Sequence, residues 1–332
     1  MRFLSRLANM LIVILFVSIF MFVLVRVLPG DPVGAALGEG ATKEQIDKFR
    51  TQMGMDKPLE VQYAVYLRGL FDGHFGPSLI EPRDVGDIVW ERLPATLELV
   101  LCSLMLAIVL GVPLGIVAAT HRNGPIDQLS RLWSLTGVSF PPFWAALMLQ
   151  LLLGAALALV PITGRMSGPP PEHFTGLYLV DALLTGNLSA FGDALHHLIA
   201  PTLVMAVGPL AQITSMVRST MLDELAKPYV SYNRAVGMPS FLINYKYALR
   251  NAFSSTLTLI GFLFPIMIGG AFIVEKVFAW PGIARFGADS ILANDYNAIV
   301  GVTLVVCLFV VVVNFVTEEL YSALDPRIRL EG

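Results

Sequence analysis

Six apolar runs of membrane-spanning length alternate with polar segments along this chain, and that alternation constrains the fold more than any motif does. A helix needs about 20 apolar residues to cross the hydrocarbon core, where each backbone N–H and C=O must find its partner within the segment. The first run follows Arg2 and Arg6 and reaches Leu28. Two arginines before an apolar stretch resemble a signal peptide. The run is longer than a signal's apolar region, however, and no small-x-small cleavage site follows it. It reads as an uncleaved first transmembrane helix. The other runs extend from Thr96 to Ala119, about Leu132 to Val160, His196 to Val217, Thr256 to Val277 and Tyr296 to Val316. Only 14% of the 332 residues are charged, against about 25% in a soluble domain. The expected class is an all-α membrane protein with about six transmembrane helices.

Breaks between and within the runs set the organisation. Leu28-Pro29-Gly30-Asp31-Pro32 ends the first span, so residues 1–29 form one element. Residues 30–94 form a polar insertion whose apolar residues recur at helical spacing, with Thr42 as N-cap and Gln45 at the capping-box position. Residues 95–332 hold the remaining five helices and a long polar loop at 218–255. Pro141 and Pro142 interrupt the third run and predict a kink, because proline lacks a backbone N–H. Gly168-Pro169-Pro170-Pro171 marks a loop, and Gly176 to Leu184 reads as a short interfacial helix. Pro201 and Pro209 fall inside the fourth run, whose end carries a polar stripe of Gln212, Thr214 and Ser215. Gly261, Gly269 and Gly270 allow close helix approach in the fifth.

The chemistry-bearing residues exclude several function classes. Cys102 and Cys307 both lie in apolar runs and read as small hydrophobes, not as a disulfide or metal pair. His196 and His197 are neighbours and face different sides of a helix, and the other three histidines are scattered. The sequence lacks the CxxC, HExxH and GxSxG motifs, and no Ser/His pair or paired intramembrane aspartate suggests an intramembrane enzyme. A phosphate loop of the GxxxxGK[ST] type is missing as well, so any ATP used in transport binds to another chain. A secondary transporter predicts charges buried within the spans as relays. Glu98, Glu275 and Lys276 instead sit near span ends, where the Glu98 carboxylate can meet a helix N-terminus.

Charge placement orients the chain. Arg2, Arg6, Arg122, Arg131, Arg218, Lys227, Arg234, Lys246, Arg250, Arg327 and Arg329 fall on one side, against mainly Arg165, Lys276 and Arg285 on the other. The positive-inside rule therefore predicts both termini and the 218–255 loop in the cytoplasm.

That loop contains Tyr229 to Ala252, a basic stretch without an acidic residue between two apolar runs. Tyr229 to Val236 predicts a short helix stopped by Gly237-Met238-Pro239, and Phe241 to Ala252 a second helical run. The order Tyr-Val, Arg-Ala, Gly, then Ala-Leu-Arg-Asn-Ala resembles the ATPase-coupling loop of ABC importer permeases of the dipeptide/oligopeptide branch. LPGDP, the order of elements in the insertion, Phe278-Ala279-Trp280-Pro281-Gly282 and Leu324-Asp325-Pro326-Arg327 are similar to the same family, in the same order. Three positions depart from its pattern: Asn233 stands for an alanine, Val236 for a lysine and Ser255 for a proline.

The resemblance implies the ABC type I importer transmembrane-domain fold, with residues 30–94 as a periplasmic insertion. It implies a permease subunit of the bacterial inner membrane that translocates di- or oligopeptides by alternating access. Glutathione or nickel is an alternative cargo, and an ATPase-independent secondary transporter the alternative class. The implied partners are a second related permease in a heterodimer, two ATP-binding subunits, an external substrate-binding protein and membrane lipid, without nucleic acid. This chain would bind no cofactor; ATP and Mg belong to the ATPase subunits. The coupling contact falls on Asn233, Arg234, Ala235, Val236, Gly237 and Met238, with Tyr229 and Tyr232 at its rim and Arg250 and Asn251 as braces. For the two tyrosines, interfacial anchoring is an equal reading.

Overall fold

The computed structural model describes residues 2–27 and 57–324, together with 42–44, 48 and 51. The LPGDP segment beyond Val27, the capping position at Gln45 and the closing motif beyond Leu324 lie outside the described residues. The helices in chain order are α1 (Arg2–Val27), α2 (Leu59–Phe71), α3 (Val85–Thr120), α4 (Pro125–Ser139), α5 (Pro142–Leu149) and α6 (Tyr178–Leu184). They continue with α7 (Leu188–Leu225), α8 (Pro228–Ala235), α9 (Leu249–Val277), α10 (Ile283–Leu292) and α11 (Tyr296–Leu324). Wider π-helical turns follow α5 at Gln150–Ala156 and precede α9 at Leu242–Ala248. Among the described residues no strand forms, and the one β-bridge joins Pro77 and Asp84.

Four helical segments are long and apolar enough to cross a membrane: α3, α7, Leu242–Val277 and Tyr296–Thr317. A fifth is broken. Its halves, α4 and Pro142–Ala156, meet at 101°, a sharper turn than the kink expected from Pro141-Pro142. Phe140 and Pro141 both adopt extended ψ of 125°, and Pro142 opens the next helix at a position that needs no N–H donor. The rings of Phe140 and Trp144 stack across the break at 5.3 Å. The apolar part of α1, Ala8–Leu24, is shorter than the other spans.

Two compact units divide the chain: Met1–Pro94 with Pro281–Val312, and Ala95–Trp280 with Val313–Gly332. In the first, Ser18 on α1 shares a 2.8 Å hydrogen bond with Tyr63 on α2, and Phe22 packs edge-on against the Tyr63 ring. Asp295, fully buried ahead of α11, accepts hydrogen bonds from Ser78 Oγ at 2.6 Å and Leu79 N at 2.7 Å.

In the second unit α7 is the axis. Two thirds (67%) of its most apolar window is buried, against 39% in α3 and in Leu242–Val277, and it packs on α4, α5, α6 and α9. Pro201 and Pro209 lie inside it without ending it. Gly115 of α3 lies so close to α7 that a Cβ there would stand 2.7 Å from Val217 Cβ. This is the close approach small residues permit between membrane helices.

The end of α3 within this unit is locked by buried polar groups. Glu98 accepts from Arg165 Nη2 at 2.6 Å and from Leu179 N, in the first turn of α6, at 2.8 Å. Arg165 also donates to Gly176 O at 2.8 Å and lies 3.6 Å from the Tyr178 ring centre. The expectation that Glu98 meets a helix N-terminus is realised in this contact. Nearby, the buried Trp280 donates its indole N–H to Ala95 O at 2.9 Å, and Thr96 donates to Glu275. Glu98, Asp127, Arg165, Glu224 and Glu275 are all buried, near span ends or, for Arg165, in the loop that follows the broken pair.

Candidate functional site

The 218–255 loop folds as two joined helical pieces. Pro228 opens α8, where its fixed φ suits the first helical position. The helix ends as Gly237 turns to φ +81°. Met238 N donates to Asn233 O and Gly237 N to Arg234 O, both at 3.0 Å. These paired bonds form a Schellman motif, which uses the orphan carbonyls of the last turn and favours glycine at the left-handed position. The predicted helix and stop are both present, displaced by a single residue. The second helical run is present too: it is wound as the π-helical turn Leu242–Ala248 and continues directly into α9.

Burial divides α8 into an anchor and a presented face. Val230 is fully buried and holds the helix to the body of the unit. Tyr232 is 68% exposed and Val236 58%, and Arg234, Ala235 and Gly237 are exposed beside them, with Asn233 and Met238 half-buried. Phe241 and Tyr245 stack at 4.7 Å and add an exposed aromatic pair. Lys246 and Arg250 are exposed too. The result is a knob, basic and aromatic, with no carboxylate of its own between Pro228 and Ala252. Beside it lies a cleft of about 440 Å³ lined by Thr120, Arg122, Leu222, Arg234, Ser240 and Asn244.

The two tyrosines have different surroundings. Tyr229 is half-buried and donates its hydroxyl to Glu224 Oε2 at 3.0 Å. Burial raises its pKa, and the bond and charge of Glu224 push the same way, against an opposing hydrogen bond with Asn251. Asn251 Nδ2 lies 3.4 Å from both the Tyr229 hydroxyl and Glu224 Oε2. Lys227 pairs with Glu224 as well. One buried carboxylate at the end of α7 thus gathers the start of α8 and the start of α9. Asn251 takes part in this brace and Arg250 does not. Glu224 was not singled out in the sequence; its only local signal is the Glu224/Lys227 spacing. Among the described residues, no three His, Cys, Asp or Glu side chains lie together as a metal site requires.

The described residues thus form a helical membrane protein that presents a short, capped, basic helix between two spans. Residues 111–330 match the family described as binding-protein-dependent transport system inner membrane component, and residues 1–100 match its N-terminal model. The chain belongs to this family. It is 39% identical over 326 residues to a probable D,D-dipeptide transport system permease protein of Escherichia coli (strain K12), covering 98% of this chain and 96% of that one. It is 37% identical over 332 residues to a di/tripeptide transport system permease protein of Pseudomonas aeruginosa (strain UCBPP-PA14), covering 99% of each. Among solved structures it resembles the inward-facing MetNI methionine ABC transporter, with TM-score 0.50 and 19% identity over 71% of this chain and 94% of that one. The fold is therefore the type I importer transmembrane-domain fold.

Proposed function

We propose that this chain is the permease subunit of an ATP-driven importer that moves di- or oligopeptides across the inner membrane by alternating access. The observation that carries the reading is α8, an exposed basic helix clamped by Glu224 between α7 and α9. In this reading Asn233 to Met238 contact an ATPase subunit, Tyr232 sits at the rim, and Tyr229 and Asn251 transmit motion to the spans. Two ATP-binding subunits, a second related permease and an external substrate-binding protein complete the assembly. ATP and Mg²⁺ are held by the ATPase subunits. Both termini and α8 face the cytoplasm, in keeping with the charge distribution. The peptide-transport relatives support the cargo class.

ATP closure of the ATPase pair draws the coupling helices together, and this can shift the spans only if ATP binds the two states with different affinity. The test is Ala235→Glu, with Gly237→Pro as a second variant, each assembled with its partners in lipid nanodiscs. Both proteins insert normally and lose substrate-stimulated ATPase activity. Full stimulation in Ala235→Glu sinks the coupling role.

A further inference from the structure

A groove of about 700 Å³ runs along the second unit between α4, α7 and α9. Its α4 wall consists of Arg131, Ser134, Leu135, Val138 and Ser139, and its α7 wall includes Gln212, Ser215, Met216, Arg218 and Ser219. Both sets repeat at helical spacing, so each helix offers one continuous face. The lining is apolar for the most part, but amide, hydroxyl and guanidinium groups recur along it. Ser215, Ser219 and Ser139 are exposed, and Gln212 and Ser134 are half-buried. Ser139 satisfies its hydroxyl on Leu135 O at 2.8 Å, whereas the Gln212 amide and the Ser215 and Ser219 hydroxyls would be costly in hydrocarbon and belong against water or polar ligand.

One end of the groove is charged. Asp127, fully buried at the start of α4, accepts from Arg131 Nη2 at 2.7 Å, Arg218 Nη2 at 3.0 Å and Asn123 N at 2.8 Å. Two guanidinium groups on one carboxylate leave one surplus positive charge. The Arg131 side chain is 47% exposed and lines the groove, as do Arg218 and the next residue, Ser219. The remainder alternates hydroxyls with Leu135, Val138, Met216 and Leu259.

We infer that this groove is the chain's wall of the translocation pathway. Its ligand is a peptide whose amides meet Gln212 and the serines, and whose carboxylate meets the Arg131–Arg218 end. The inference rests on the importer reading above. Serines with scattered apolar side chains grip no particular residue type, which suits a route for peptides of varied sequence.

The test uses the full importer, purified through its ATPase subunit, with Cys102→Ala and Cys307→Ala as background. Ser139→Cys, Ser215→Cys and Ser219→Cys are introduced singly, with Leu132→Cys on an exposed apolar position of α4 as control. A membrane-impermeant thiosulfonate is the probe. A thiol reacts through its thiolate, which forms in water and not in lipid. The three serine positions label, Leu132→Cys does not, and the rates differ between nucleotide-free and ATP-trapped complexes. At Ser219→Cys an anionic thiosulfonate reacts about tenfold faster than a cationic one, as expected beside surplus positive charge. At Ser139→Cys, away from the arginines, the preference is weaker. Ser215→Trp, which fills the groove, lowers peptide uptake while nucleotide binding by the complex persists. Failure of all three cysteines to label in both nucleotide states, within an intact complex, overturns the inference and makes this face a buried subunit contact. Failure of the ATPase subunit to co-purify instead overturns the importer reading.

Discussion

Arg165 and Glu98 stand 67 positions apart in sequence and form a buried pair closed by Gly176 O, Leu179 N and the Tyr178 ring. Such a pair adds little net stability, since desolvation offsets attraction, but removing one member strands the other. Arg165→Met is therefore expected to destabilise the protein by about 3–5 kcal/mol, read as a lowered midpoint in thermal unfolding. Adding Glu98→Gln should recover part of that loss, because no bare carboxylate remains. A double variant no more stable than the single one contradicts this account. Gly237 presents the opposite situation. Nothing crowds it, so only its φ of +81° resists a side chain. Gly237→Ala should cost about 1 kcal/mol, from the left-handed backbone alone, and leave a folded importer with weaker coupling. The glycine stop was legible in the sequence because a Schellman end has a local residue signature. The Arg165–Glu98 pair was not, because nothing local distinguishes those two charges from their neighbours.

At the scale of elements, apolar length marked the spans, and α3, α7 and α9 cover the runs assigned to them. α7 and Leu242–Val277 extend beyond those runs, because helical winding continues into polar flanks where the protein itself satisfies the side chains. Pro141-Pro142 announced a break in the third run but not its 101° angle, which depends on the surfaces receiving each half. The loop around α6 carries its own pH dependence. Burial of Asp181 favours its neutral form, yet hydrogen bonds from the Thr175 hydroxyl and the Thr175, Gly176 and Phe174 amides outweigh this and lower its pKa. A lowered folded pKa stabilises the fold above the unfolded value of about 3.9 and ceases to do so as pH falls through the lower folded value. Wild type should exceed Asp181→Asn in thermal midpoint by a constant margin at neutral pH. That margin should shrink below about pH 4, as followed by unfolding fluorescence across a pH series. A margin independent of pH down to acid unfolding would show that the ionised carboxylate is not the stabilising species.

For the whole molecule, the proposed coupling role requires that a contact on α8 become a movement of spans. A helix of eight residues cannot hold its own geometry in water, so whatever α8 receives must pass through its attachments. Those attachments are few and identifiable: Val230 buried in the body, the continuous backbone into α7 and α9, and the Glu224 carboxylate shared by Tyr229, Asn251 and Lys227. The carboxylate links three helices through side chains. Tyr229→Phe removes one hydroxyl, leaves the apolar packing of the ring and keeps the exposed face of α8 unchanged. Assembly with the ATPase should survive, and ATP should still be hydrolysed. Fewer peptides should cross per ATP, because α8 can now shift without carrying α7 and α9. Asn251→Ala should act in the same direction, and the double variant should lose less than the sum of the two, since both remove the same brace. The measurement is the ratio of peptide uptake to phosphate released in proteoliposomes. A ratio unchanged in Tyr229→Phe and Asn251→Ala would mean that the backbone and Val230 transmit the motion unaided, leaving Glu224 a purely structural anchor.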